Sequence, residues 1–356
     1  MKICTILGTR PEIIRLSETM RKLDKYFDHK IIWTGQNYDP KLSDIFWDGL
    51  SLRRPDYVLA CKADNVGEQI GKIFSTVASV LEKEKPDRVL ILGDTNSGLA
   101  AIVARRMGIP VYHMEAGNRC WDQRVPEEIN RRAIDGVSSV NLCYTNRSRE
   151  NLIQEGFPSH KVLVTGNPIY EVLQRWETEW KYVEPEPENK LVVATFHRSE
   201  NVDNNETLNE IISGIKRIAS MGCDVVCSIH PRTRQKLEQL GTLKLPSLVQ
   251  FLEPMDFFEF VKLQKKASVV LTDSGTVQEE ACILQRPCVV MRNSTERPET
   301  IEAGATILSG PNADNIFQST VMMLERETNW EIPFEYSVPD VSDRVVKILS
   351  GISHDL

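Results

Sequence analysis

Short apolar runs alternate with longer amphipathic stretches along the entire chain. The apolar runs predict β-strands and the amphipathic stretches predict helices, an order typical of βαβ units with parallel sheets. In the first half the predicted strands cover residues 3–7, 30–34, 88–92, 111–114, 140–144 and 162–165. In the second half they cover residues 191–196, 224–229, 249–252, 268–271, 288–291 and 306–308. Helical spacing between strands marks residues 13–23, 66–81, 206–220 and 277–284.

The sequence between the two halves has the composition of a linker. Residues 184–188 alternate glutamate and proline, which disfavours both helix and sheet. We therefore predict an α/β protein with two Rossmann-like domains, an N-terminal one over residues 1–170 and a C-terminal one over residues 171–340. Residues 341–356 begin with helical spacing, and we predict that this segment packs back onto the first domain.

Composition and charge narrow the classes of protein to consider. With 356 residues, 41% of them hydrophobic and 26% charged, the chain has enough apolar sequence for two globular domains. The net charge of −7 argues against a nucleic-acid partner, which needs a basic surface. No apolar run approaches the roughly 20 residues that span a bilayer, and the start lacks a signal-peptide cleavage region. We therefore expect a cytoplasmic protein with no membrane partner.

The eight cysteines are scattered, and several lie in strand-like apolar runs. This pattern favours buried, reduced thiols over disulfides or zinc ligands. Cys223 and Cys227 are four residues apart, but they flank a predicted strand and no second ligand pair accompanies them. We therefore expect no metal site.

Polar residues follow almost every predicted strand, at the point where the strand ends. In parallel sheets, ligands bind beyond the carboxyl ends of the strands. These positions are 8–12, 93–96, 115–119 and 165–168 in the first half, and 197–201, 230–232, 273–276 and 292 in the second. Two such edges facing one another predict a deep polar cleft between the domains.

The segment GTRPE at 8–12 is a candidate anion site. It places Arg10 at a predicted helix start, where free amides and a first-turn proline favour a bound anion. The alternative is an ordinary turn with a surface arginine. The dinucleotide fingerprint Gly-x-Gly-x-x-Gly is absent from this segment, which argues against NAD.

The segment DSGT at 273–276 is a second turn of the same kind. Amides of residues 274–276 could hold a diphosphate, and Glu280, one turn later, could accept hydrogen bonds from a ribose. The alternative is helix capping by Asp273 or Ser274.

Acids and histidines at the predicted edges are candidates for catalysis and binding. Asp94, Glu115 and Glu127 lie near the edge of the first domain, where shifted pKa values suit general acid–base chemistry. Taken singly, each could equally be a solvated or capping acid. His197 and His230 occupy corresponding strand ends in the second half, each near an arginine, which favours ligand contact. The other four histidines are interpreted as structural.

An ordered series of motifs across both halves resembles the non-hydrolysing UDP-N-acetylglucosamine 2-epimerases. The motifs are LGTRPEII near the start, TGQNYD at 34–39, LGDTNS at 92–97, HMEAGNRC at 113–120, VPEEINRR at 125–132, TGNP at 165–168, HRSENVDN at 197–204, DSGTVQEEA at 273–281 and ERPE at 296–299. The resemblance implies a glycosyltransferase-B-like arrangement with a central cleft, a homodimer, a UDP-N-acetylhexosamine substrate and no cofactor.

The resemblance also implies roles for individual residues. It gives acid–base roles to Asp94, Glu115 and Glu127, with His197 facing them. It places around UDP the residues Arg10, Arg15, His230, Phe260, Ser274, Gly275, Thr276, Glu280 and Arg297, with Phe260 against the uracil. Arg15 stands where the family has a lysine, which keeps the charge but replaces a point donor with a planar fork.

One branch of the family matches further. GTRPEIIRLS, NRCWDQRVPEEINRR, HPRTR and YSVPDVSDRVV are more similar to the UDP-N-acetyl-L-fucosamine synthases of surface-polysaccharide pathways, such as those for capsule or O-antigen. Those enzymes epimerise carbon 2 of UDP-2-acetamido-2,6-dideoxy-L-talose. The alternatives are a UDP-GlcNAc/UDP-ManNAc 2-epimerase, a uronic-acid variant, a hydrolysing relative, a UDP-sugar glycosyltransferase and a non-catalytic sensor.

A second, activating UDP-sugar site is not matched by the sequence. Segment 37–45 lacks the glutamine that substrate-activated epimerases use there, and Lys72 stands in place of their arginine. The resemblance implies a reaction in which UDP is eliminated across C1–C2 and then re-added, because C2–H is not adjacent to a carbonyl. This route needs proton-transfer groups on both faces of the sugar.

Overall fold

The computed structural model describes residues 1–36, 40–180, 189–229, 231–241, 246–253, 255–326 and 329–351. The chain divides into two compact units, one formed by Met1–Arg175 with Phe334–Leu356 and the other by Trp176–Pro333. The sequence predicts domain boundaries at 170/171 and 340/341, and the structure divides the chain at 175/176 and 333/334. The glutamate–proline tract at 184–188 lies outside the described residues.

The described part of the first unit contains a parallel sheet of seven strands. They are β1 (Lys2–Leu7), β2 (Asp28–Trp33), β3 (Tyr57–Val58), β4 (Arg88–Leu92), β5 (Val111–Met114), β6 (Val140–Cys143) and β7 (Val162–Val164). Their order in the sheet is β3-β2-β1-β4-β5-β6-β7. The chain therefore reverses its direction of winding at β1, between β2 and β4, where open α/β sheets bind their ligands.

The second unit repeats this architecture with six parallel strands among its described residues. They are β8 (Leu191–Thr195), β9 (Asp224–Ser228), β10 (Val249–Leu252), β11 (Val269–Thr272), β12 (Cys288–Val290) and β13 (Thr306–Leu308). Their order is β10-β9-β8-β11-β12-β13, with the winding reversed at β8. The predicted class, two doubly wound α/β domains, is confirmed. The predicted strands fall within about two residues of these bounds, but β3 was missed because two residues make no apolar run.

Helices connect the strands in both units. In chain order they are α1 (Arg10–Tyr26), α2 (Pro40–Gly49), α3 (Val66–Glu84), α4 (Ala100–Arg106), α5 (Pro126–Val137), α6 (Asn146–Gln154), α7 (Pro168–Arg175), α8 (Glu177–Trp180), α9 (Ser199–Val202), α10 (Asn205–Ser220), α11 (Pro231–Gln239), α12 (Phe257–Lys266), α13 (Gly275–Ile283), α14 (Pro298–Glu302), α15 (Ala313–Glu325) and α16 (Val341–Ser350). Short 3-10 turns cover Asn96–Leu99, Ser159–Lys161 and Phe334–Tyr336. None of the described helices has the length and hydropathy needed to cross a membrane.

The central strands, such as β1, β4, β5, β6 and β11, are buried on both faces, as in other parallel sheets, while the edge strands β3 and β10 are partly exposed. The last described helix, α16, packs on α1 in the first unit. The guanidinium of Arg88 donates to the carbonyl oxygens of Leu349 and Gly351 at its end. Ser342, at its beginning, donates its amide to Glu171 at 2.8 Å. The C-terminal helix is thus fastened to the first unit at both ends.

Candidate active site

The loop after β1 packs tightly against its neighbours. A side chain at Gly8 would overlap the hydroxyl groups of Thr34 and Ser97, so this position requires glycine. The close packing fixes the start of α1. Arg10, the first residue of that helix, is half-buried with its guanidinium 5.9 Å from the ring centre of Phe46.

Glu12 joins the loop after β1 to the loop after β4. Its Oε2 accepts hydrogen bonds from the amides of Gly8 and Thr9 at 3.1 and 2.7 Å. Its Oε1 accepts from the hydroxyl of Thr95 at 3.2 Å. Burial raises the pKa of Glu12 to about 7, although these donors act in the opposite direction. The hydrogen bond from Thr95 to Glu12 therefore fixes the residue that follows Asp94.

Asp94 follows β4 and is held by an arginine from α5. Arg131 donates from Nε and Nη2 to Asp94 Oδ2 at 3.0 and 2.7 Å. Arg131 is itself buried and donates to Glu128 at 3.0 Å. The side-chain amide of Asn130 donates to the Asp94 carbonyl oxygen at 3.0 Å. Helix α5 therefore orients this carboxylate, which keeps 23% of its side-chain surface exposed.

Glu115 follows β5 with a φ of 68°, a left-handed conformation that is uncommon for residues other than glycine. Its Oε2 lies 3.2 Å from Arg15 Nη1 and 3.3 Å from the hydroxyl of Tyr144. Asn118 donates to its other oxygen, Oε1, at 3.3 Å. The guanidinium of buried Arg15 also lies 5.6 Å from the Tyr144 ring centre. A candidate catalytic acid and a candidate UDP-binding arginine thus form an ion pair.

The structure brings Asp94 and Glu115, two of the three candidate acids, to one edge of the sheet in the first unit. A methyl group on Gly93 would lie 3.5 Å from Glu115 Oε2, so Glu115 faces the residue that precedes Asp94. Glu127 is the second residue of α5 and is half-buried. The same helix supplies Arg131 to Asp94.

A buried hydrogen-bond network of His113, Asp135 and Arg119 contacts the backbone of this edge at Gly93. His113 Nε2 donates to the carbonyl oxygen of Gly93 at 2.8 Å, and its Nδ1 lies 2.9 Å from Asp135. Arg119 donates to the same carboxylate at 2.8 Å. Burial would raise the pKa of Asp135, but His113 and Arg119 hold it below its ordinary value. The structural role that the sequence predicts for His113 is confirmed.

In the second unit, Asp273 organises the loop that carries His197. This fully buried carboxylate accepts from the amides of His197 and Arg198 at 3.1 and 3.0 Å, and from Asn201 Nδ2 at 3.1 Å. The imidazole of His197 is 54% exposed, with Nδ1 3.5 Å from Asp273. The end of β11 therefore sets the position of a histidine that follows β8.

Helix α13 begins at this edge without a side-chain cap. Among the described residues, Ser274 makes no capping hydrogen bond, and Asp273 is committed to the loop after β8. The alternative interpretation of this segment, helix capping by Asp273 or Ser274, is therefore not what the structure has. A side chain at Gly275 would come within 2.6 Å of Glu296 Oε1, so glycine allows a close approach.

Arginines surround the start of α13. Arg292 is buried and donates from Nη1 to Glu296 Oε2 at 2.9 Å. Arg198 Nη2 lies 3.7 Å from the other oxygen of Glu296. Two guanidinium groups thus share one carboxylate beside Gly275. Arg292 also lies 3.8 Å from Glu200, so the arginines here are paired with acids, and the attraction for an anionic ligand comes from the first-turn amides and dipole of α13.

The remaining candidates of the second unit have partners within that unit. Buried Arg297 forms an ion pair with Glu279. Buried Glu280 accepts from Gln264 Nε2 at 2.7 Å, so a ribose would compete with this amide. Phe260 is half-buried against the apolar cluster under β8 and β11.

Parts of the sequence prediction fall outside the described residues. His230 is among them. Residues 37–39, part of the segment compared with the activating site of other epimerases, are also outside the described residues. Lys72, on α3, forms an exposed ion pair with Glu68 at 2.8 Å.

Three residues of the site were given no catalytic or binding role from the sequence, and Asp273 was considered only as a helix cap. Tyr144 was placed inside a predicted strand at 140–144, although β6 ends at Cys143 and Tyr144 follows it. Because the predicted strand was one residue too long, Tyr144 was not counted among the polar residues that follow a strand. Arg131 and Asp273 were noticed only within motifs. Their spatial partners could not be found from sequence spacing.

No cluster of metal-binding side chains occurs in the described part of the chain. All eight cysteines are buried thiols. Burial raises the pKa of Cys227 and Cys282 to about 12, so these thiols stay neutral at physiological pH.

The fold and these contacts define the class of protein: a two-unit α/β protein with arginine-paired acids at the strand ends of one sheet and a helix start without a side-chain cap at the strand ends of the other. A family profile for UDP-N-acetylglucosamine 2-epimerase matches residues 21–350. The UDP-N-acetylglucosamine 2-epimerase of Methanocaldococcus jannaschii is 41% identical, over 98% of this chain and 99% of that protein. Its crystal structure in complex with UDP-GlcNAc and UDP has a TM-score of 0.92, at 40% identity and with 98% and 99% of the two chains covered.

Two further proteins are similar to this chain, one in sequence and one in fold alone. The UDP-2,3-diacetamido-2,3-dideoxy-D-glucuronate 2-epimerase of Pseudomonas aeruginosa is 37% identical, over 90% of this chain and 91% of that protein. A lipopolysaccharide galactosyltransferase shares the glycosyltransferase-B-like fold, with a TM-score of 0.58, 13% identity and 99% and 100% coverage. The chain belongs to the UDP-N-acetylglucosamine 2-epimerase family, and it is an isomerase.

Proposed function

We propose that this enzyme inverts carbon 2 of a UDP-N-acetylhexosamine by eliminating UDP and adding it back. The observation that carries the proposal is the pairing of two acids with two arginines at one sheet edge. Asp94 is held by Arg131 and Glu115 by Arg15, each within 3.2 Å. Such pairing orients the carboxylates for proton transfer.

In the first half of the reaction a carboxylate removes the C2 proton while the C1–O bond to UDP breaks. The products of this step are a 2-acetamidoglycal and UDP. A second acid then delivers a proton to the opposite face of C2, and a UDP oxygen re-forms the bond to C1. We assign these proton transfers to Asp94, Glu115 and Glu127, with His197 assisting the departure of UDP.

The second unit supplies the proposed UDP site. The first-turn amides of α13 at Ser274, Gly275 and Thr276 receive the diphosphate, assisted by Arg297. Glu280 takes the ribose in exchange for its bond to Gln264. The remaining proposed contacts are Arg10 and Arg15 from α1, His230, and Phe260 against the uracil.

We propose UDP-2-acetamido-2,6-dideoxy-L-talose as the substrate and UDP-N-acetyl-L-fucosamine as the product. The support is the similarity of segments such as NRCWDQRVPEEINRR to the synthases of that sugar. A UDP-GlcNAc/UDP-ManNAc 2-epimerase is the second candidate, because the 41% identical relative carries that name. Family members named for different sugars show that the family name does not define the sugar.

The test is to incubate the purified chain in deuterated water with each UDP-sugar and follow C2 by NMR. We expect inversion of C2 with solvent deuterium incorporated there, fastest with the L-talose derivative. A Glu115→Gln variant, which keeps the side chain's size but not its charge, should lose inversion. Inverted product without deuterium would contradict the elimination route. Free sugar with UDP, or a glycoside formed with an acceptor, would identify a hydrolase or a transferase instead.

The proposed active form is a homodimer. Multi-angle light scattering at micromolar concentration should give twice the mass of the 40.5 kDa chain. A monomer with full activity would overturn this part of the proposal.

A further inference from the structure

We propose that Tyr144 is a positioning residue for Glu115, because its hydroxyl holds Glu115 Oε2 in both protonation states of that acid. The inference rests on the proposed function, in which Glu115 transfers a proton. Tyr144 is buried, with 2% of its surface exposed, and it directly follows β6. Glu115 directly follows β5, the neighbour of β6 in the sheet, so both residues lie at the same sheet edge.

Three groups meet within hydrogen-bond distance at this point. The Tyr144 hydroxyl lies 3.3 Å from Glu115 Oε2 and 3.4 Å from Arg15 Nη1. Arg15 Nη1 lies 3.2 Å from the same carboxylate oxygen. The Tyr144 ring also packs against the Arg15 guanidinium, which limits the movement of both side chains.

The chemistry of the three groups gives Tyr144 a role that Arg15 cannot fill. A guanidinium only donates, so it stabilises the ionised form of Glu115 but gives no acceptor to the protonated form. A phenol hydroxyl both donates and accepts. It can donate to the carboxylate before proton transfer and accept from the carboxylic acid afterwards, by rotation about its C–O bond.

The backbone makes this support necessary. Glu115 has a φ of 68°, so its side chain leaves the strand end in a direction that ordinary strand geometry does not set. Asn118 contacts Oε1 at 3.3 Å, and Tyr144 with Arg15 contacts Oε2. The carboxyl plane is thereby fixed at both oxygens.

The experiment compares Tyr144→Phe with the unaltered enzyme. Loss of a hydrogen bond to a charged group should lower kcat by about 10- to 100-fold, with KM changed by less than about threefold. Tyr57→Phe is the matched control, since Tyr57 lies on the edge strand β3, away from the candidate acids, and its hydroxyl contacts Glu84 at the end of α3. The control should keep the original kcat. Urea denaturation checks that both variants remain folded.

A double-mutant cycle separates positioning from a general structural effect. Glu115→Asp withdraws the carboxylate from the Tyr144 hydroxyl, so adding Tyr144→Phe to it should cost little further activity. Single-turnover measurements with excess enzyme extend the range to slow variants. An unchanged kcat in Tyr144→Phe, or equal losses in both backgrounds, would overturn the proposal. No epimerisation by the unaltered enzyme with any UDP-sugar would instead overturn the proposed function.

Discussion

At the scale of single residues, the site depends on buried charges that have partners. Asp94 with Arg131, Glu115 with Arg15 and the His113–Asp135–Arg119 network each place a carboxylate against a cation. Removing one partner of a buried ion pair leaves an uncompensated charge, which costs more than the pair contributes. Two positions, the glycine Gly117 and the carboxylate Glu12, give direct tests at this scale.

Gly117 lies two residues after Glu115 and also has a positive φ, of 79°. A methyl group there would overlap the carbonyl oxygen of Ser148. Gly117→Ala should therefore lower the free energy of unfolding by at least about 2 kcal/mol and reduce activity. Gly136→Ala is the control, because this helical glycine has open space around its missing Cβ. The control should be neutral or up to about 1 kcal/mol more stable in urea denaturation.

Glu12 predicts a pH dependence of stability. Its pKa is raised from 4.5 to about 7 by burial, so the folded protein holds the proton more tightly than the unfolded chain. Stability contributed by the protonated acid is therefore lost as pH rises from about 4.5 to about 7, by up to about 3 kcal/mol. Glu12→Gln cannot titrate there.

The measurement is urea denaturation of both proteins at pH 5 and pH 8. The stability of the original protein relative to Glu12→Gln should be lower at pH 8 than at pH 5. The exposed Glu82→Gln substitution, on α3, controls for general effects of removing a charge. A difference that is the same at both pH values would contradict the expectation.

At the scale of elements, the ends of neighbouring strands position one another's loops. Asp273, after β11, holds the amides of the loop after β8, and Glu12, in α1, holds Thr95 after β4. In both cases the loop after one strand is held by a side chain that follows the adjacent strand in the sheet. The parallel order of the strands is what makes these contacts possible.

Asp273→Asn tests this arrangement. The substitution points an NH₂ group at amides that need an acceptor, so it should destabilise the protein by about 1–3 kcal/mol. Displacement of His197 should also lower kcat/KM by at least about tenfold. The control is Asp256→Asn at the start of α12, where Asp256 accepts from the amide of Glu259 and asparagine caps a helix equally well. Full activity in Asp273→Asn would show that the loop holds its position without this carboxylate.

At the scale of the molecule, the first unit is built from both ends of the chain. Helix α16 returns to α1, and its residues Val345 and Leu349 are fully buried. The second unit has its own apolar core around β8, β9 and α10. Each unit therefore depends on its own contacts for stability.

Leu349→Ala should accordingly destabilise the first unit by about 2–5 kcal/mol, because it leaves a cavity against α1. Hydrogen–deuterium exchange should become faster in α1 while exchange in α10 keeps its original rate. Met322→Ala, a change at a 44% exposed position of the second unit, is the control and should alter neither helix. Equal acceleration in α1 and α10 would mean that the two units unfold together.

Much of this fold follows from local sequence pattern. The strands and helices are set by apolar runs and amphipathic spacing over a few residues, and a short edge strand such as β3 is the kind of element that gives no such signal. The edge positions of Asp94, Glu115 and His197 also follow, because a polar residue after a buried strand lies at the binding edge of a parallel sheet. The position of Tyr144 at this edge was not predicted, because the predicted strand was one residue too long.

What the sequence by itself determined is the class of the protein: two doubly wound α/β domains, their strand ends and a family resemblance held in ordered motifs. What only the tertiary structure decided is which side chains meet. Arg15 and Glu115 are 100 residues apart, and Asp273 lies 76 residues from His197. Such contacts depend on which strands are neighbours and where the winding reverses, and these are properties of the whole sheet that no local pattern carries.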